Sequence, residues 1–274
     1  MLWEKYDSLI LDLDGVIYIG DQRVPHAIES LNAIADKVRI TALTNNASRH
    51  RSEVSKHLID LGLRIHPEDV VTSSDAAADY LKAEFPDAKT VLAVGGQGLA
   101  KTLEEQGFDV VRAGRTYDEV FEQARVCDLV VEGHGTDTSW WDVTAVIWAI
   151  GLGKPWIATN RDMTVPLPYG NSIGNGGFVS LIETFTKVNP IVTGKPEKRI
   201  FETLIGQLGL SSPLVIGDSF QTDIAGARNC NVDSLLVLTG VTTRAMAIES
   251  GLKPTYIAED LRILLNQNSP EEQD

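Results

Sequence analysis

Cysteine is scarce in this chain, with only Cys127 and Cys230 among 274 residues. The two stand far apart and in no metal-ligand spacing, which excludes a disulfide framework and a cysteine-based metal centre. Both are expected to be reduced thiols of a cytoplasmic protein. Basic residues are also in deficit, 24 Lys and Arg against 38 Asp and Glu, for a formal net charge of -14. That balance argues against nucleic acid or an anionic membrane surface as a partner. A phosphorylated small molecule stays open, because a local cation reverses the field inside a single cleft. No apolar run approaches the ~18 residues of a membrane span. The opening MLWEKYDSLI has no basic region followed by an apolar stretch, so it does not read as a signal peptide. Repeats, low-complexity segments and Gly/Ser linkers are missing too. Any second domain must therefore be an insertion, with the chain crossing between domains twice.

What is present is an ordinary globular composition, 43% hydrophobic and 23% charged, enough for a sizeable core. Short apolar runs at 8–13, 38–43, 90–94, 127–131, 155–159, 191–193, 214–216 and 234–238 read as strands. Helical patterns lie between them. PHAIESLNAIAD is expected to open with Pro25 in the first turn, and SRHRSEVSKHLIDLG with Ser48 as N-cap and Gly62 beyond the end. Such alternation predicts an α/β architecture, a doubly wound, Rossmann-like parallel sheet with helices on both faces. The early strands are continuously apolar, as both-face burial requires. By pattern the crossings fall near residues 81 and 184, giving a core of 1–80 and 185–274 and an inserted, smaller α/β domain of 81–184.

Ligands of open parallel sheets bind beyond the carboxyl ends of the strands. Four such ends carry unusual polar residues: DLDG with Asp12 and Asp14, LTNN with Thr44 and Asn45, TGKP with Lys195, and DSFQTD with Asp218 and Asp223. Each alone is an ordinary turn or helix start. At one sheet edge together they supply clustered carboxylates, which repel unless a cation sits among them, and an all-oxygen site favours Mg²⁺. Lys195 and Thr44 add donors opposite the acids. A metal, a fixed ammonium, hydroxyl or amide donors and an in-line nucleophile are what phosphoryl transfer needs.

The four segments resemble, in order, the four motifs of the haloacid dehalogenase superfamily. GVIYIG, ATNRD, GNGGFV and LVLTGVT extend the likeness over nearly the whole chain, toward the p-nitrophenyl phosphatase-like (NagD-like) branch. Spacing agrees. Asp14 and Thr44 are 30 positions apart, too few for a domain, whereas 151 positions separate Thr44 from Lys195. A cap between the second and third motifs is the family's class two arrangement. The resemblance implies a Mg²⁺-dependent phosphatase of a small phosphorylated metabolite. Asp12 would be the nucleophile and Asp14 the general acid/base, with Thr44, Asn45 and Lys195 on the phosphate. The metal would be held by Asp12, the backbone carbonyl of Asp14 and Asp218, with Asp223 behind them orienting water or Lys195. Phosphotransfer between substrates, as in mutases of the superfamily, is the alternative enzyme reading, and a non-catalytic phosphate-binding protein the other.

Within the expected cap, Asn160 and Arg161 of ATNRD and His134 of EGHGTD are candidates to meet the substrate. The last is a departure, since related sequences tend to be acidic near His134 and Gly135. The fourth motif also departs, reading GDS with Ser219 where GDR or GDN is usual. VLAVGGQG invites a dinucleotide reading, but Lys101 stands where the third glycine is needed, so a tight turn is the better account. The Trp140–Trp141 helix reads as cap core or as the face of a cap-mediated homodimer.

Overall fold

The computed structural model describes residues 1–167, 169–249, 251 and 253–266. Contacts divide the chain into two compact units. The first comprises residues 1–44, 52–71 and those from 195 onward; the second comprises 45–51 and 72–194.

The first unit is built on a six-stranded sheet in the order Tyr256–Ala258, Asp233–Val237, Pro213–Gly217, Ser8–Leu11, Arg39–Thr44, Val70–Thr72. Ser8–Leu11 pairs in parallel on both sides, with Leu9 opposite Leu214 and opposite Ile40. The chain winds outward from that strand in one direction, then returns to its other side. Ser8–Leu11 and Pro213–Gly217 therefore flank the point where the winding reverses, the place where open α/β sheets bind ligands. SLIL and PLVIG are buried at every position, as strands covered on both faces must be. Leu9, Leu11, Leu31, Ile34, Val54, Leu58, Leu214 and Ile216 share one core. Each such fully buried side chain contributes roughly 1.5–3 kcal/mol through removal from water.

The second unit has its own parallel sheet, ordered Ile191–Val192, Trp156–Ala158, Leu129–Glu132, Thr90–Val94, Asp109–Val111. Side chains of a strand alternate between faces. Leu92, Val94 and Val130 accordingly enter one core, with the helices Tyr117–Val126, Trp140–Gly151 and Asn175–Thr186. Val91, Ala93, Leu129 and Val131 enter the other, with Ser73–Glu84 and Gln97–Glu105. Three helices begin with reciprocal caps, Thr72 with Asp75, Thr116 with Glu119, and Ser139 with Asp142. A hairpin of Thr164–Leu167 and Gly170–Ile173 completes the unit.

The crossings expected near 81 and 184 both fall inside helices, Ser73–Glu84 and Asn175–Thr186. Ala77, Ala78 and Leu81 pack on the second sheet, and Val179 and Ile182 pack there too. Helical periodicity shows that a helix has an apolar face but not which sheet receives it. Two helix starts also differ from expectation. Ala27–Asn32 begins only after His26, which has φ +66°, so Pro25 lies outside it. Arg51–Asp60 begins beyond Ser48, because Asn46 Oδ1 accepts from the Ser48 N–H and hydroxyl and holds that stretch as a turn.

Candidate active site

Asp12 follows Ser8–Leu11 directly, and its N–H still donates to Ile216 O at 2.9 Å. Its carboxylate is held by Lys195, whose ammonium lies 2.6 Å from Asp12 Oδ1 and 2.7 Å from Asp223 Oδ1. Lys195 is itself buried, with a side chain 3% exposed, against 13% for Asp12 and 1% for Asp223. Asp223 also accepts from the Ser219 N–H, and Asp218 from the Val241 N–H at 2.6 Å.

Carboxylate oxygens of Asp12, Asp218 and Asp223 all lie within 4.8 Å of one another. One ammonium faces three carboxylates in a poorly solvated site, and the charges do not balance. Burial, together with Asp223 and Asp218, lifts the Asp12 carboxyl well above the usual range, against the pull of Lys195. Burial and Asp223 push Asp218 up to about 6. For Lys195 burial works against the ammonium, but Asp12 and Asp223 outweigh it and hold its pKa raised. An all-oxygen set with excess negative charge fits a hard divalent cation of the size of Mg²⁺. Asp12 and Asp218 would hold it, while Asp223 is engaged with Lys195.

The exposed Asp14 places no carboxylate oxygen in that cluster. Its backbone bridges to Tyr18, and Gly15 N–H donates to Tyr18 O at 2.8 Å, so the chain turns away from the strand at this point. Thr44 ends Arg39–Thr44, the strand beside that of Asp12, and is buried. Asn45 belongs to the second unit by its contacts, and its Nδ2 donates to Asp162 Oδ1 and Oδ2 at 3.2 and 3.1 Å.

The model of the haloacid dehalogenase-like hydrolases matches residues 9–109, and a second, HAD-hydrolase-like, matches 192–264. D-glycerol 3-phosphate phosphatase of Mycobacterium tuberculosis is 37% identical over 263 residues, 95% of this chain and 71% of that protein. The chain belongs to the haloacid dehalogenase-like hydrolase family. Two solved members of the family superpose closely. Glycerol phosphate phosphatase Rv1692 from Mycobacterium tuberculosis, in complex with magnesium, gives a TM-score of 0.88 at 36% identity, over 97% of this chain and 78% of that one. The p-nitrophenyl phosphatase from Archaeoglobus fulgidus gives 0.84 at 27% identity, over 94% and 97%.

The candidate family cap residues are not alike in their surroundings. Asn160 is 3% exposed and both ends of its amide are engaged: Nδ2 donates to Asn45 O at 2.8 Å, and Oδ1 accepts from the Asp162 N–H at 3.1 Å. Its geometry is that of a brace on the loop after Thr44, with Ser73 Oγ donating to the same carbonyl at 2.7 Å. Arg161 turns to Glu183, 2.6 Å from Nη2 to Oε2. His134 is half-buried, and burial lowers its pKa against a hydrogen bond with the Ile173 backbone. In VLAVGGQG, a Cβ on Gly98 would collide with the backbone of Arg49 and His50, and one on Gly96 with Ser48. Those glycines admit residues 48–50 against the start of Gln97–Glu105, and Gly98 N–H donates to Ser48 O at 3.1 Å.

Proposed function

We propose that this chain is a Mg²⁺-dependent phosphomonoesterase that acts through an aspartyl-phosphate on Asp12, with a small polyol or sugar phosphate such as glycerol phosphate as substrate. The carrying observation is the Asp12 carboxylate held by a buried ammonium inside a carboxylate cluster at the sheet's reversal point. The substrate class draws support from the mycobacterial relative, whose similarity extends over 95% of this chain.

Lys195 fixes the orientation of the Asp12 carboxylate and, with a bound cation, opposes the burial that favours its neutral form. An Asp12 oxygen forms the new bond to phosphorus as the bond to the substrate oxygen breaks. Asp14 gives its proton to that leaving alkoxide, then takes one from a water that attacks the same phosphorus and releases Asp12. Thr44, at the end of the neighbouring strand, and the amides that follow it donate to the phosphoryl oxygens. The cation, when bound, supplies positive charge that offsets the crowded carboxylates and polarises the phosphoryl group.

In this reading residues 81–184, extended to the contact-defined second unit, select the substrate, with the loops carrying His134 and Arg161 at the carboxyl edge of its sheet. The unpaired Cys127 and Cys230 suit a cytoplasmic setting. A homodimer through the second unit is part of the same reading. Tyr117, Phe121 and Trp140 are 65%, 48% and 59% exposed on two helices that pack together. A Trp140→Glu variant should convert a dimer to a monomer by light scattering; a monomeric parent chain would refute that part.

The deciding experiment is phosphate release across a panel of glycerol phosphate, sugar phosphates, phosphoglycolate, nucleoside monophosphates and pyridoxal phosphate, compared by kcat/KM. The highest value should fall on a polyol or sugar phosphate and need Mg²⁺. A leading value on a nucleotide, or phosphate moved to a second substrate without release, would overturn the reading.

A further inference from the structure

The stretch Thr239–Gly240–Val241 follows strand Asp233–Val237, two strands from that of Asp12. None of its side chains ionises, yet it touches two of the segments that frame the site. Thr239 Oγ1 donates to Gly15 O at 2.6 Å. Two residues on, Val241 N–H donates to Asp218 Oδ2, also at 2.6 Å. Between these two bonds sits Gly240. A Cβ there would overlap the Asp218 carboxylate, and a Cβ on Gly15, at φ +80°, would overlap the same oxygen from another direction. The Asp218 carboxylate is thus seated against the backbone of both glycines, with one oxygen tied to an amide.

We propose that Thr239, Gly240 and Val241 form a positioning strap for the cation site. The inference rests on the reading in which Asp12, the Asp14 carbonyl and Asp218 hold Mg²⁺. Val241 N–H fixes the rotation of the Asp218 carboxylate about its last torsion. The Thr239 hydroxyl anchors the Gly15 carbonyl, one peptide beyond that of Asp14, and so restrains where the Asp14 carbonyl stands relative to Asp218. Gly240 permits the approach. All three act through their neighbours Gly15 and Asp218. Groups that orient metal ligands in this way typically contribute about 10–100-fold in metal affinity. The physical reason is that a loosely held ligand must be ordered when the ion binds, at a cost in conformational entropy.

Mg²⁺ binding to the whole chain, measured by calorimetry, separates the strap from the site it serves. Thr239→Val keeps the β-branched shape and removes the donor; it should weaken Mg²⁺ about 10-fold or more, with an unchanged circular dichroism spectrum. Thr239→Ser restores the donor and should bind within about threefold of the parent, well inside the 10–100-fold loss expected without it. Gly240→Ala should bind more weakly still. Wild-type Mg²⁺ affinity in Thr239→Val, alongside lost binding in Asp218→Asn, would overturn the strap and leave the metal reading standing. Equal weakening by Val and Ser would overturn it too, since the hydroxyl would not be the agent. Undiminished binding in Asp218→Asn would remove the metal reading and the strap with it.

Discussion

Lys195 Nζ lies 2.6 Å from Asp12 Oδ1, a buried ammonium on a carboxylate 183 positions earlier in the chain. It is the one cation ion-paired with the carboxylates of the cluster among the described residues. Lys195→Met therefore leaves buried carboxylates facing one another with their hydrogen bonds unmade. Phosphate release by this variant should fall by at least about 10²–10³-fold in kcat, the loss seen when a single charge-stabilising donor is removed. Lys195→Arg should not rescue it, because a planar fork on a longer stem does not fit the place of a compact ammonium. Activity within a few-fold of the parent in either variant would be inconsistent with the geometry described.

Crowded carboxylates also make the fold sensitive to its cation. Mg²⁺ binds the folded chain at a site that unfolding disperses, so saturating Mg²⁺ should raise Tm, by about 2.7 kcal/mol of stability at a hundred times Kd. Chelation should abolish turnover, and added Mg²⁺ should restore it. Thermal unfolding of Asp218→Asn with and without Mg²⁺ checks the origin: the shift should shrink or vanish.

Glu132 gives a pH dependence remote from the catalytic cluster. It is 1% exposed, accepts from Trp156 Nε1 at 2.8 Å, and is lifted by burial from 4.5 to about 8, with Glu183 adding to the rise and Trp156 opposing it. The folded chain thus retains a proton here that the unfolded chain releases. Stability from this group is full below about 4.5 and is lost as pH rises toward about 8. Glu132→Gln keeps an acceptor for Trp156 and carries no charge. The Tm difference between the variant and the parent should grow in the variant's favour from pH 5 to pH 8. A pH-independent difference would contradict the assignment.

Two helical glycines should respond to alanine with opposite signs. Gly206, in Lys198–Leu208, has open space where a Cβ would go. Gly206→Ala should stabilise by roughly 0.5–1 kcal/mol through backbone entropy. Gly98 has the same propensity to gain, but its Cβ would meet the backbone of Arg49 and His50, which cannot step aside as a side chain end can. Gly98→Ala should cost about 1–3 kcal/mol of overpacking. Denaturant titration of both variants reads the two signs.

The eight apolar runs were legible as strands because each is short, continuous and bounded by turn residues, and the structure has a strand at every one. Val70–Thr72, Asp109–Val111 and Tyr256–Ala258 escaped that reading. Each is three residues long and lies at the edge of its sheet, too short a run for its apolar pattern to be told from a turn or helix flank. The carboxylates and Lys195 were legible because charged residues at the ends of apolar runs are costly and therefore conspicuous. Asn160 was conspicuous as a polar residue closing the run at 155–159, yet its amide is spent on Asn45 and Asp162, a partnership that only the fold discloses. Thr239 and Val241 lay inside LVLTGVT, which carried the family likeness but no role for either residue. They act through a hydroxyl and a backbone N–H, whose partners only the fold discloses.

Everything proposed for catalysis depends on Asp12 forming the bond to phosphorus. The initial rate of phosphate release by Asp12→Asn, at saturating Mg²⁺ and with the fold verified by Tm, tests this most directly. A loss of at least about 10⁴-fold in kcat is expected when a covalent nucleophile is removed. Retention of activity within about tenfold of the parent would contradict the account, since binding and charge stabilisation would then suffice without the nucleophile.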